Sequence, residues 1–203
     1  MTRVAVLGAG GHAKVVIATL VAAGHKVGAA YDDDPGRQGG ELLGVPVRGA
    51  LRDARPDEAD GFVLAVGSNR DRRRLAAELD LPWISAVHPA ATVHRSVRLG
   101  VGSVVFAGAV LQPDTEIGRH VIINTGASVD HDCRVADFVH VAPGARLGGG
   151  VKVAEGAVVG IGSALLPGVR VGAQATVGAG AAVVADVPER TTSVGVPARL
   201  RSR

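Results

Sequence analysis

Aromatic side chains are nearly absent from this 203-residue chain: one Trp, one Tyr and three Phe make up 2% of it. Such a chain lacks the stacking platforms on which the bases of a single strand are held. The net charge is only +3, and the arginines are spread along the sequence rather than gathered in one block. Both features argue against long nucleic acid and leave small anionic ligands as partners. Cysteine occurs once, as Cys133, so there is no internal disulfide, and the residue reads as a small core side chain of a reducing compartment. Long apolar runs are also missing. Hydrophobic residues make up 47% of the chain, yet glycine and charge interrupt every run well short of a bilayer crossing. No signal peptide is visible, so a cytoplasmic protein without a membrane span is expected.

What is present is a repeat. Seventeen consecutive hexapeptides run from Val87 to Pro188 in one register, each opening on Val, Leu or Ile, from Val87, Val93 and Leu99 through to Val183. The fifth position is Ala, Ser, Thr, Cys or Val, as at Ala91, Ser103, Thr115, Cys133 and Ala181. This pattern predicts a parallel β-helix with openers stacked inward and small fifth residues near the corners. Hexads of this kind group three to a coil, so residues eighteen apart lie one above the other at the strand spacing of about 4.8 Å. Glycines beside the openers (Gly100, Gly118, Gly148, Gly160, Gly172, Gly178) are expected at corners with unusual backbone angles.

The first 81 residues lack the six-residue period and alternate strand with helix. Arg3–Leu7 is a short apolar strand, followed by Gly8-Ala9-Gly10-Gly11 and a helix over 12–23 with a stripe of Val15, Val16, Ala18, Thr19 and Ala22. A second strand over 27–31 ends in Asp32-Asp33-Asp34. A third over 61–66 ends in Gly67-Ser68-Asn69, and a charged helix follows over 70–79. The expected division is a small Rossmann-like α/β unit over 1–81 and the β-helix with its C-terminal tail over 82–203.

Two places carry candidate chemistry. The glycine-rich turn directly after the first strand opens a helix, an arrangement that suits a phosphate group. Read as Gly-x-Gly-x-x-Ala with Asp32 about twenty residues on, it imitates a dinucleotide fingerprint. The unit is small for two nucleotide halves, however, and a mononucleotide diphosphate fits better, with Asp32 or Asp33 accepting from hydroxyl groups. A tight turn without a ligand is the alternative. The second place is Asn124 with His131-Asp132. His131 is third in its hexad and so points outward, flanked by Asp130 and Asp132, carboxylates that raise the imidazole pKa and fix its tautomer. The eighteen-residue rule puts Gly149, within Gly148-Gly149-Gly150, on the same corner and leaves space beside His131. His140 faces another way.

The whole chain resembles the bacterial nucleotide-sugar acetyltransferases of the sialic-acid and bacillosamine type. The residues that carry this are Gly8-Ala9-Gly10-Gly11-His12, Asp32-Asp33, Gly67-Ser68-Asn69 and His88-Pro89. In the repeat they are Asn124-Thr125, Val129-Asp130-His131-Asp132-Cys133 and Phe138-Val139-His140-Val141, and in the tail Val194-Gly195-Val196-Pro197-Ala198-Arg199. The resemblance implies a left-handed β-helix, a homotrimer with active sites between columns, and acetyl transfer from acetyl-CoA to a UDP- or GDP-linked 4-amino-4,6-dideoxy sugar. By position it implies that Gly10, Gly11, His12, Asp32, Asp33, Gly67, Asn69 and Asn124 contact the nucleotide sugar, and that His140, Gly149, Ile161 and Ala179 line the coenzyme groove. His131 is then the general base and Asp132 its orienting partner, a position where one branch of the family has Glu.

Other readings start from the same residues. A sugar O-acetyltransferase of the sialic-acid type would use the same scaffold without a nucleotide, and a different acyl donor would fit the same groove. A non-catalytic sugar-nucleotide scaffold would not need His131. His120, His131 and His140 invite comparison with the zinc site of β-helical carbonic anhydrases, but the close His pair of that family is absent and no metal is expected.

Overall fold

In the computed structural model, which describes residues 2–201, the chain forms two compact units, Met1–Pro89 and Ala90–Arg203. The first contains β1 (Arg3–Leu7), α1 (Gly11–Ala22), β2 (Lys26–Tyr31), β3 (Glu41–Leu42), β4 (Val45–Gly49), β5 (Gly61–Leu64) and α2 (Asn69–Glu78). The strands order as 3-4-2-1-5, parallel except for the β3–β4 pair. Central β1 is buried from Val4 to Leu7, as an unbroken apolar strand in a parallel sheet must be. Beyond β5, Pro82–Ile84 runs alongside the sheet edge through the Phe62 N–H to Pro82 O and Ile84 N–H to Phe62 O bonds, 2.9 and 3.0 Å. Residues 82–84 are therefore tied to the first unit by backbone pairing.

The face of α1 differs from the expected stripe. Ala13, Val16, Ile17, Thr19 and Leu20 are buried, whereas Val15, Ala18 and Ala22 are exposed. Positions 13, 16, 17 and 20 follow the 3.6-residue period. The helix is apolar nearly all round, so composition could not choose between faces, and the sheet made the choice.

The second unit is a left-handed parallel β-helix. Its first face stacks Thr92–Val93, Val110–Leu111, Ser128–Val129, Arg146–Leu147, Ala164–Leu165 and Ala182–Val183. The second stacks Arg98–Leu99, Glu116–Ile117, Arg134–Val135, Lys152–Val153 and Arg170–Val171. The third runs from Val104–Val105 through Ile122–Ile123, His140–Val141 and Val158–Val159 to Thr176–Val177. Each of these pairings joins residues eighteen apart, and openers from Val105 to Val183 are buried together with fifth positions from Ser103 to Val187. Polar fifth residues bond to corner carbonyls: the Ser103 hydroxyl donates to Gly118 O and that of Thr115 to Asp130 O, both at 2.8 Å. A buried hydroxyl is thus accommodated without an unmet hydrogen bond.

The glycines beside the openers owe their place to crowding, not to backbone angle. None of the six has positive φ, but a Cβ on Gly100 would lie 2.4 Å from the Gly118 carbonyl carbon, and one on Gly172 would lie 2.4 Å from Glu189 N. The left-handed residue sits two positions later, at the fourth of the hexad, as at Gly126 (φ 65), Gly150 (φ 70), Asp132 (φ 57) and His120 (φ 51).

Candidate active site

Parallel pairing brings the C-terminal ends of β1, β2 and β5 to one edge of the first unit. The turns that follow them carry Gly10 and Gly11, Asp32 and Asp33, and Gly67 and Asn69. Ligands bind at this edge of parallel sheets. Gly8 makes the first turn: its φ is +119, and a Cβ there would meet Ala65 O at 2.7 Å. Gly10 is the N-cap of α1 without a side-chain cap, and no acidic residue occupies the first turn.

The two aspartates serve the protein first. Asp32 accepts from Ala9 N–H at 2.6 Å, Asp34 N–H at 2.9 Å and Arg37 Nη1 at 3.1 Å. Burial pushes its carboxyl pKa up, but these donors outweigh burial and hold it below the ordinary value. Asp33 accepts from Leu51 N–H at 2.9 Å and anchors the loop after β4. Besides any ligand hydroxyl they are expected to meet, both carboxylates organise backbone. Arg37, which the sequence reading missed, also reaches Asp34 at 3.2 Å, and its Nη1 is 3.1 Å from where a Gly10 Cβ would be. With Lys14, Gly10, Gly11 and Leu42 it lines a cavity of about 410 Å³. A lone Arg in the loop after an acidic run was its only signal.

Arg72 was also missed. It is 1% exposed and donates to Val66 O at 3.1 Å, Gly67 O at 3.3 Å and Asn69 Oδ1 at 2.8 Å. Burial lowers even its pKa, to about 10. His12, in the first turn of α1, is held down to about 4 by burial, with the Arg72 charge adding to the effect. Near neutral pH His12 is therefore an uncharged imidazole.

On the β-helix, Ser128–Val129 leads out of the first face into the corner that holds His131. The ring is exposed, and its Nδ1 lies 2.7 Å from Asp132 Oδ2. A carboxylate on Nδ1 requires the proton there, which leaves Nε2 with its lone pair outward. The hydrogen bond to Asp132, with the charge of Asp130, raises the His131 pKa. Asp130 further fixes the corner by accepting from His131 N–H at 2.8 Å. Gly149 lies one coil on, as the repeat predicts: Gly150 N–H donates to His131 O at 2.8 Å, and a Cβ on Gly149 would come 2.6 Å from His131 Nε2. Only glycine leaves Nε2 open. Cys133, next in sequence, points into the core, and burial raises its thiol pKa, so it is not a nucleophile.

Asn124 does not group with His131 as expected. It leaves the third face, one corner earlier, and its Nδ2 is 3.1 Å from His140 Nε2. Ile161 and Ala179 stack on that same corner, Gly180 N–H bonding Ile161 O at 2.8 Å, and Ile161 is 59% exposed. The residues expected to line the coenzyme groove therefore divide: Gly149 stands with His131, while His140, Ile161 and Ala179 stand across the first face. A larger cavity, about 900 Å³, lies along the second face between Arg98, Arg134, Lys152 and Arg170 and the small residues beside the openers. It contains none of the expected site residues. Among the described residues no group of three or more His, Cys, Asp or Glu is placed to hold a metal ion. Nor is any described helix long and apolar enough to cross a membrane.

Known proteins resemble this chain in sequence and in fold. A family profile described as the PglD N-terminal domain matches residues 3–79. The UDP-N-acetylbacillosamine N-acetyltransferase of Bacillus subtilis is 42% identical over 115 residues, 53% of this chain and 52% of that protein. The match to that curated relative thus spans about half its length. The Caulobacter crescentus enzyme PerB, solved with CoA and GDP-perosamine, is 43% identical with a TM-score of 0.91, covering 98% of this chain and 97% of that one. A histidine-to-alanine variant of the GDP-perosamine N-acetyltransferase from the same organism, also solved with both ligands, is 42% identical with a TM-score of 0.92, covering 98% and 97%. The acetyltransferase domain of PglB from Neisseria gonorrhoeae, solved with acetyl coenzyme A, is 40% identical with a TM-score of 0.91, covering 98% of each chain. With a matching first unit, a hexapeptide β-helix and near-complete coverage at this identity, the chain belongs to the family of bacterial nucleotide-sugar acetyltransferases.

Proposed function

We propose that the protein transfers acetyl from acetyl-CoA to the 4-amino group of a GDP- or UDP-linked 4-amino-4,6-dideoxy sugar, with His131 as general base. One observation carries this reading. His131 is oriented by Asp132 through Nδ1, and its Nε2 opens onto a space that exists only because residue 149 is glycine. The amine nitrogen attacks the thioester carbonyl, the new C–N bond forms as the C–S bond breaks, and the amine's proton passes to His131 Nε2 and on to the departing thiolate. Asp132 holds the productive tautomer and stabilises the imidazolium while the proton is there. No acyl-enzyme is required.

In this reading the first unit, with Gly10, Gly11, His12, Asp32, Asp33, Gly67 and Asn69, holds the nucleotide sugar, and the β-helix holds acetyl-CoA. Gly149 and the pair Ile161 and Ala179 lie on different corners of one column, so a groove that uses both takes them from neighbouring copies. A homotrimer with active sites between columns, and with Asn124 and His140 facing His131 of the next copy, meets that need. A reduced, buried Cys133 fits a cytoplasmic setting.

The test is release of CoA thiol on incubation with acetyl-CoA and a panel of GDP- and UDP-linked 4-amino sugars. Transfer to one member, lost in His131→Ala, supports the reading. Acetylation of a free sugar hydroxyl instead, or transfer undiminished in His131→Ala, overturns it. Sedimentation of the full chain as a monomer would remove the shared-site arrangement.

A further inference from the structure

Arg72 stands out once the fold is known. Taking a guanidinium out of water is costly, and an apolar side chain of similar volume is often at least as stabilising in its place. The contacts Arg72 makes point to the turn that ends β5 rather than to general packing. Its Nη1 spans the carbonyls of Val66 and Gly67 at 3.1 and 3.3 Å, and its Nη2 holds Asn69 Oδ1 at 2.8 Å. A planar fork with several fixed donors can hold two carbonyls and an amide oxygen at once; a lysine ammonium cannot fix the same plane. Ser68, inside the turn, is the N-cap of α2 and accepts from Asp71 N–H at 3.3 Å, so the turn is pinned from both sides. The charge of Arg72 also reaches His12, in the first turn of α1 beside Gly10 and Gly11. One buried side chain thus holds one turn of the ligand edge by hydrogen bonds, and its charge lowers the pKa of His12 at another.

We propose that Arg72 is a positioning residue for nucleotide-sugar binding: it fixes the Gly67–Asn69 turn from within, so that the turn presents its polar groups to the ligand. The inference rests on the reading of this edge as the nucleotide-sugar site. It makes Arg72 selective in effect, because acetyl-CoA binds the other unit in that reading.

The experiment compares wild type with Arg72→Lys and Arg72→Met, all as the full chain. It measures KM for the amino-sugar nucleotide and for acetyl-CoA, GDP and UDP affinity by calorimetry, and the His12 ring resonance against pH. The expected result is a KM for the nucleotide sugar raised about tenfold in Lys and further in Met. KM for acetyl-CoA should stay unchanged, and kcat at saturation should stay within about threefold. The His12 resonance should titrate at higher pH in Met than in wild type. Arg72→Lys retains the charge and keeps the question open to test if Met does not fold. Equal rises in both KM values, or a lowered unfolding midpoint with neither KM changed in Lys, would overturn the proposal. A wild type that binds GDP or UDP but transfers no acetyl overturns the functional reading alone, and nucleotide affinity then decides the role of Arg72. A wild type that binds neither nucleotide overturns both.

Discussion

The two units encode their sites in opposite ways. In the β-helix, position in the repeat is position in space: residues eighteen apart are stacked, so Gly149 could be placed beside His131 by counting. In the first unit no such rule exists. Residues 10–12, 32–33 and 67–69 lie at one edge because β1, β2 and β5 run parallel and end together, and the side chain that braces the last of those turns, Arg72, comes from inside the helix that follows it. A translational fold makes neighbours legible from the sequence, whereas a wound sheet makes them only through topology.

The largest effect expected is at His131. Replacing it with Ala should lower kcat by roughly 10²–10⁴, with coenzyme affinity and unfolding midpoint unchanged, because the ring is exposed and supports no packing. Steady-state kinetics with calorimetry checks this. A comparable loss of stability would mean that the corner is structural.

In the first unit the corresponding histidine should be felt through stability. His12 falls from 6.5 unfolded to about 4 folded. Above pH 6.5 both states are neutral and nothing is lost. Between 6.5 and about 4 the unfolded state takes up a proton that the folded state refuses, so stability falls with pH, by about 3 kcal/mol in total. Urea unfolding between pH 7.5 and 4 should show this slope in wild type and a shallower one in His12→Gln. Equal slopes would remove His12 from the linkage.

Two glycines of the same repeat should separate structure from function. Gly118→Ala puts a Cβ 2.6 Å from Asp137 N and 2.7 Å from the Ala136 carbonyl carbon, and crowding against backbone should cost about 1–3 kcal/mol. The nearest atoms to a Cβ in Gly149→Ala belong to the exposed His131 ring, which can swing away on the surface, so stability should hold while kcat falls. Thermal unfolding and kinetics of the pair check the contrast, which fails if both variants lose stability alike.

The smallest effect is a shift of profile. Asp132 occupies a left-handed position, φ 57, that Asn also tolerates, so Asp132→Asn keeps the corner while removing the charge. The hydrogen bond to Asp132 is the main reason the His131 pKa is raised. A base works above its pKa, so the acid limb of the kcat profile should move to lower pH, with a modest drop in the plateau. A limb that stays in place would mean that another group titrates there.

Much of the site was readable before the fold. His131 follows from an outward position between two carboxylates, and Cys133 from an inward one. The misreadings share a cause. Asn124 was grouped with His131 by closeness in sequence, but a corner lies between them and its partner is His140, sixteen residues on in the next coil. Asp32 and Asp33 read as ligand groups, and of their second role as backbone anchors only the Asp34 donor is local, two residues on; those from Ala9 and Leu51 come from segments that no local pattern brings near. Arg72 was hidden within Arg70-Asp71-Arg72-Arg73-Arg74, where composition suggests a solvated face, and the helical period alone could not say which arginine turns inward.

The sequence by itself determined the β-helix, its register and the vertical neighbours of each residue, because a six-residue period repeated seventeen times leaves few other ways to bury every opener. It also determined the strand–turn–helix character of the first unit. Only the tertiary structure decided which face of α1 is buried, that glycines beside openers yield to a neighbouring coil rather than to φ, and that a buried arginine braces the turn after β5. The physical reason is range. Periodicity reports contacts set by a fixed chain spacing, whereas burial of a charge or a choice among apolar faces is settled by elements distant in sequence.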